Sequence, residues 1–210
     1  MAAVLVPSIR VKQLGSVDYL AALEAMRSFT ARRNDATDDE LWLLEHPPVY
    51  TLGLGADAAH GPRAENGIPV VKVERGGEIT YHGPGQVVLY TLVDLARRAL
   101  KVREFVAMLE QSVIDLLAEH GVVAARRPGA PGVYVDGAKI AALGIRVARG
   151  RAFHGLALNV DLDLSPFGAI DPCGYPRLAV TRTCDLGVAG GAGELGGRLA
   201  QILVASLGRA

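Results

Sequence analysis

A cysteine on a turn, a lysine opening a strand and two His-Gly pairs carry the chemistry this sequence offers. Cys173 lies in IDPCGY (Ile170 to Tyr175), between Asp171-Pro172 and Gly174, which places it on a turn and not on a packed strand. Lys139 opens KIAALGIRVARGRAFHGLALNV (Lys139 to Val160), and RGGEITYHGPGQVVLY (Arg75 to Tyr90) precedes both. A thiolate with an amine beside it is equipment for acyl transfer through a covalent thioester. A thiol with the reference pKa of about 8.5 is mostly protonated near neutrality, so it needs help. The Lys139 ammonium would favour the thiolate by charge attraction; a neutral Lys139 would instead take a proton from an attacking amine. Blander fates stand beside these. A free cysteine is most often a small buried hydrophobe, and a lysine at a strand end is most often solvated.

The glycine-rich segments add a second layer. Gly76, Gly77, Gly83 and Gly85 allow backbone to approach a ligand closely, Arg75 can pair with an anion, and Tyr81 and His82 can donate hydrogen bonds. The plainer alternative is a hairpin with a satisfied core histidine. The spacing fits neither a phosphate-cradling loop nor a dinucleotide fingerprint. Backbone N–H groups near Leu143, Gly144 or Gly155 can face a developing oxyanion, and the apolar residues around them can line a channel for a fatty chain. His46, before Pro47-Pro48, is expected at a pocket rim, His60 and His120 on the surface, and Cys184 in a structural role.

These residues need elements to hold them. Ser16 is placed to cap a helix running to about Arg33, with Leu20, Leu23, Met26 and Phe29 on one face. Leu41 to Gly53 reads as a strand, a Pro-Pro break and a second strand, and Val70 to Val73 as a short strand. Glu78 to Tyr81 and Gln86 to Val93 read as strands flanking the HGPG turn. Val102 to His120 is the clearest helix, with Gly121 suited to stop it. VYVDGAKIAALGIRV offers a hairpin turning at Asp136-Gly137, ARGRA a second turn, and Phe153 to Val160 the next strand. Gly187 to Gly197 reads as a flexible loop entering a last helix from about Glu194 to Leu207. Clustered strands with few helices favour an α+β domain of mixed β-sheets flanked by helices, one domain over residues 1–210.

Composition limits the partners. Half of the 210 residues are apolar, and 22 basic residues balance 22 acidic ones. A neutral chain gives no electrostatic case for nucleic acid or an anionic membrane. Two cysteines are too few for a disulfide scaffold, and no paired Cys/His spacing suggests a metal site. The N-terminus is poorly patterned for a signal peptide and no apolar run reaches membrane-spanning length, so a cytoplasmic location is expected.

From about Leu41 to Thr183 the chain resembles the octanoyltransferases of lipoate biosynthesis. The most specific piece is RGGxxTYHGPGQxxxY, here Arg75 to Tyr90; the KIAALGIR run, the HGLALN run and the PCG turn follow in the family's order. The resemblance implies transfer of an octanoyl group from octanoyl-acyl carrier protein to the target lysine of apo lipoyl domains, as in 2-oxoacid dehydrogenase E2 subunits and glycine cleavage H protein. It implies Cys173 as acyl-thioester nucleophile and Lys139 as its paired lysine. Substrate contacts would come from Arg75, Gly76, Gly77, Glu78, Ile79, Thr80, Tyr81 and His82, from Ala142, Leu143 and Gly144, and from Gly155, Leu156 and Ala157. It also implies a monomer that needs no cofactor and no metal, with a fold similar to the catalytic module of lipoate and biotin protein ligases. The nearest rival is an ATP-dependent lipoate or biotin ligase of that fold, though a GRGR-type loop is absent.

Overall fold

The computed structural model describes residues 8–56, 62, 66–171 and 178–209. Two mixed sheets and three long helices make an α+β architecture. The larger sheet has seven strands in the order β1 (Ile9–Ser16), β2 (Asp39–Glu45), β6 (Gln86–Leu92), β10 (Arg151–Asn159), β9 (Ala138–Ala148), β8 (Val133–Val135) and β7 (Ala125–Arg126). The β1–β2 pair is parallel; the others are antiparallel. The smaller sheet orders β4 (Val70–Lys72), β3 (Val49–Leu52) and β5 (Ile79–His82).

The central strands β6 and β10 are buried almost throughout because both faces of the large sheet are covered. On one face Val87, Leu89, Leu156 and Leu158 pack against α2 (Val102–Glu119) and α3 (Ala192–Leu207), through Leu109, Val113 and Leu199. On the other face Val88, Tyr90, Leu92, Phe153 and Ala157 pack against Tyr19, Leu23 and Met26 of α1 (Tyr19–Arg32). The small sheet carries its own cluster of Tyr50, Leu52, Ile79 and Tyr81, closed by Phe167 from the short 3-10 turn Ser165–Ala169.

The turns follow their chemistry. Asp136 (φ 48°) and Gly137 (φ 82°) join β8 to β9, and Arg149 and Gly150 join β9 to β10, both with the left-handed pair that a two-residue hairpin requires. α2 stops ahead of Gly121, past which the Val122 amide returns to the Leu117 carbonyl at 3.0 Å.

Two expectations are corrected. Ser16 does not cap α1, because it is still in β1, paired with Glu45. The cap is Asp18, whose carboxylate accepts from the amides of Leu20 and Ala21. As a result Tyr19, Ala22, Leu23 and Met26 form the buried face and Leu20 is exposed. The Gly187 to Gly197 stretch is only partly a loop: α3 starts at Ala192 and includes Gly193, Gly196 and Gly197. Gly196 sits against Leu43, where the helix lies close on the sheet.

Candidate active site

The strands β9 and β10, the strand β5 and the loop before it surround one pocket on the α1 face of the large sheet. It holds about 740 Å³ of empty space, its open mouth included. Arg75, Gly77, Glu78, Ile79, Thr80 and His82 line one side. Lys139, Ala142, Leu143 and Gly144 from β9, with Gly155, Leu156 and Ala157 from β10, line the other. Thirteen of the expected residues therefore meet around one space. Gly76 and Tyr81 do not line it. Gly76 faces a second cavity beside α2, and Tyr81 turns into the small-sheet core against Tyr50 and Phe167. Cys173 lies outside the described residues, as does His60.

The Arg75 loop is stitched to both sheets. Nη2 of Arg75 donates to the carbonyl and hydroxyl oxygens of Thr51, each at 2.7 Å, and Nη1 donates to the Gly76 carbonyl. The Gly76 amide donates to the Ile145 carbonyl of β9 at 3.0 Å. Gly144 makes this approach possible, since a β-carbon there would lie 2.7 Å from the Gly76 carbonyl oxygen.

Lys139 is 4% exposed. Its Nζ donates to the Pro131 carbonyl at 2.9 Å and lies 5.4 Å from the Tyr134 ring centre. Its backbone is tied to the chain that follows the Cys173 segment: the Lys139 amide donates to Ala179 at 2.8 Å and the Thr181 amide donates to the Lys139 carbonyl at 3.0 Å.

Three buried imidazoles stand in or behind the pocket, all held below the usual histidine pKa by burial. The His82 Nδ1 proton goes to Gln86 Oε1 at 2.7 Å, because the Gln86 amide nitrogen donates to Asn159 Oδ1 and the Tyr81 carbonyl; burial pushes His82 down to about 3. His46 is fully buried and not at a rim as expected. Its Nδ1 donates to the Val17 carbonyl, so its Nε2 accepts from the Tyr90 hydroxyl. His154 is the exception: among the described residues neither ring nitrogen has a hydrogen-bond partner, its φ is 62°, and burial pushes it down to about 4. The left-handed backbone swings its ring onto Phe153 and Tyr90 at the pocket wall.

The remaining wall was not singled out from the sequence. Tyr19, Gln86, Val88, Tyr90, Asn159, Phe167 and Val180 also line the pocket. Gln86 and Tyr90 lay within the Arg75 to Tyr90 motif, whereas Tyr19 arrives only through the packing of α1. His120 is exposed as expected. Cys184 is an exposed thiol beside Asp161, which gives it no packing role. Among the described residues no three His, Cys, Asp or Glu side chains cluster to hold a metal ion, and no helix is long and apolar enough to cross a membrane.

Residues 18–187 match the family described as the lipoyl protein ligase A/B catalytic domain. An octanoyltransferase of Azoarcus sp. (strain BH72) is 61% identical over 203 residues, covering 97% of this chain and 89% of that protein. An octanoyltransferase of Dechloromonas aromatica (strain RCB) is 57% identical, covering 94% of this chain and 96% of the other. Among solved structures, a bipartite lipoate protein ligase from Thermoplasma acidophilum superposes with a TM-score of 0.77 at 18% identity, over 96% of this chain and 84% of that one. Biotin protein ligase from Aquifex aeolicus superposes with a TM-score of 0.62 at 11% identity, over 95% of this chain and 71% of that one. At these identities the two structures speak to the fold alone.

Proposed function

The chain belongs to the lipoyl protein ligase A/B catalytic-domain family, alongside octanoyltransferases, and from that premise we propose that it moves an octanoyl group from octanoyl-acyl carrier protein to the target lysine of apo lipoyl domains through a thioester on Cys173. The enzyme is an acyltransferase of protein lipoylation. The ATP-dependent ligase reading is not favoured: the curated relatives at 50–63% identity are octanoyltransferases, and ligases enter as low-identity fold neighbours.

The observation that carries the reading is the meeting of Lys139 with an apolar wall in one pocket. Ile79, Val88, Ala157 and Phe167 supply apolar surface for a hydrocarbon chain. At about 0.8 kcal/mol per buried methylene, an octanoyl tail gains roughly 5 kcal/mol there. That sum rejects short acyl groups and discriminates weakly against a neighbour one methylene longer.

The chemistry runs in two exchanges. The Cys173 thiolate attacks the donor thioester carbonyl; the carrier thiol leaves as the new carbon–sulfur bond forms. The acceptor lysine amine then attacks the octanoyl-enzyme, its proton passes to the Lys139 amine, and the Cys173 thiolate is expelled as the amide forms. Lys139 as ammonium favours the Cys173 thiolate in the first exchange and gives its proton to the departing carrier sulfur, and as the resulting amine it takes the proton in the second. The acceptors are lipoyl domains such as those of E2 subunits and glycine cleavage H protein. Support for the pairing comes from the two backbone bonds that tie residues 179 and 181, close after Cys173 in the sequence, to Lys139.

The test gives an apo lipoyl domain either octanoyl carrier protein or free octanoate with ATP. Acylation from the carrier protein alone is the expected result; acylation from the free acid and ATP alone would return the ligase reading.

A further inference from the structure

Glu110 is a carboxylate on the buried side of α2, only 7% exposed, where helical glutamates are seldom found without a partner. Both of its oxygens are used. Oε1 accepts from the Gly132 amide and Oε2 from Arg126 Nε, each at 3.0 Å. Arg126 is itself fixed by the Ala107 carbonyl and by Gln111 Oε1. The carboxylate is therefore set rigidly on a helix whose neighbouring Leu109 and Val113 are fully buried.

The segment it grips leads directly to Lys139. The Ala130 carbonyl accepts from the Tyr134 hydroxyl at 3.0 Å, the Pro131 carbonyl accepts from Lys139 Nζ at 2.9 Å, and the Gly132 amide reaches Glu110. Gly132 lies against the lysine stem so tightly that a β-carbon would sit 2.3 Å from Lys139 Cε. Its φ of 144° is also poorly open to other residues. The Pro131 carbonyl and the Gly132 amide share one planar peptide unit, so the direction of that carbonyl is set by the bonds that this unit and its neighbours make. Of those bonds, the one from Glu110 comes from a helix in another layer of the fold.

We propose that Glu110 is a positioning residue for Lys139: it fixes the Ala130–Gly132 turn whose Pro131 carbonyl receives the lysine amine. The inference rests on the reading of Lys139 as partner of Cys173. Glutamine keeps the length and the Oε1 acceptor for Gly132 and gives up only the bond to the exposed Arg126, whereas aspartate keeps the charge and withdraws the acceptor by one methylene. Positioning therefore ranks Glu110→Gln above Glu110→Asp, and a requirement for buried negative charge ranks them the other way.

The experiment measures steady-state octanoyl transfer for both variants against pH, with melting temperatures in parallel. The expected result is a loss of kcat in Glu110→Asp of roughly tenfold to a hundredfold, as for a displacement of about 1 Å in a catalytic group. KM for the carrier protein stays near the wild-type value, the pH–rate profile shifts along its lysine-dependent limb, and Glu110→Gln keeps most of the rate. A folded Glu110→Asp with wild-type kcat and pH profile, or a Glu110→Gln slower than Glu110→Asp, overturns the proposal. Lys139→Ala runs alongside. If it keeps the wild-type rate, the dyad reading falls and this inference with it; if it is inactive while Glu110→Asp is unaffected, only this inference falls.

Discussion

Lys139 and Ala179 are joined backbone to backbone, the lysine amide donating to the alanine carbonyl at 2.8 Å. The bond matters because Ala179 follows Cys173 by only six residues in the sequence. It anchors Ala179 on β9 at Lys139, the residue proposed to act with Cys173. Backbone and side chain of this lysine are thereby separated: its backbone holds a neighbour, and its side chain lines the pocket.

The two proposed roles of that amine are separable by Lys139→Arg. Arginine keeps the positive charge but does not give up its proton in proteins. The variant is expected to form the octanoyl-enzyme while transfer to the lipoyl domain slows by roughly 10²-fold or more, the range for loss of a general base. Single-turnover measurements of the two half-reactions check this. Equal rates of transfer in variant and wild type would remove the proton-accepting role.

Gly144→Ala should separate the Arg75 loop from β9. The added carbon would lie 2.7 Å from the Gly76 carbonyl and 3.0 Å from Arg75 Cδ. Overpacking of this kind costs about 1–3 kcal/mol. The protein is expected to fold with a lowered melting temperature and to lose most octanoyl transfer, because the loop forms one wall of the pocket. Thermal melting and a transfer assay on the same sample decide it.

Asp39 makes a stability prediction away from the pocket. It is fully buried, and its carboxylate is shared by Arg33, Arg97 and Arg98. Arg98 also donates to the Leu207 carbonyl, so the cluster ties β2 to the end of α3. Asp39→Ala strands buried cations and is expected to cost about 3–5 kcal/mol in urea unfolding. A cost within error of zero would show that the arginines escape to solvent.

Acid should destabilise the fold through the buried histidines. His154 at about 4 and His82 at about 3 lie below the 6.5 of an unfolded histidine. Between those values the unfolded chain binds more protons than the folded one, so stability is full above about 6.5 and falls as pH drops toward 4 and below. Histidine at 154 can be replaced by phenylalanine to remove one of the two. His154→Phe is expected to show a shallower fall in unfolding free energy between these pH values. An unchanged slope would mean that His154 is not neutral in the folded protein.

Much of this arrangement could be read before the structure, for local reasons. Asp136-Gly137 announces its hairpin because only a left-handed pair fits that turn, and α2 announces itself through apolar spacing and Gly121. What escaped was set by contacts between distant segments. β1 is almost wholly exposed and lacks alternation; it is a strand because it pairs in parallel with β2. Ser16 then belongs to that strand, which moves the helix cap to Asp18. His46 precedes two prolines and looks like a rim residue, yet Val17 and Tyr90 close over it. Tyr19 reaches the pocket by helix packing, which no spacing within the chain encodes.

The most direct test mixes the enzyme with octanoyl-acyl carrier protein, without acceptor, and weighs the intact chain. The account predicts one octanoyl adduct, labile to hydroxylamine, absent in Cys173→Ser and lost on addition of apo lipoyl domain. An adduct that persists in Cys173→Ser, or octanoylation of the lipoyl domain by that variant at the wild-type rate, would contradict it.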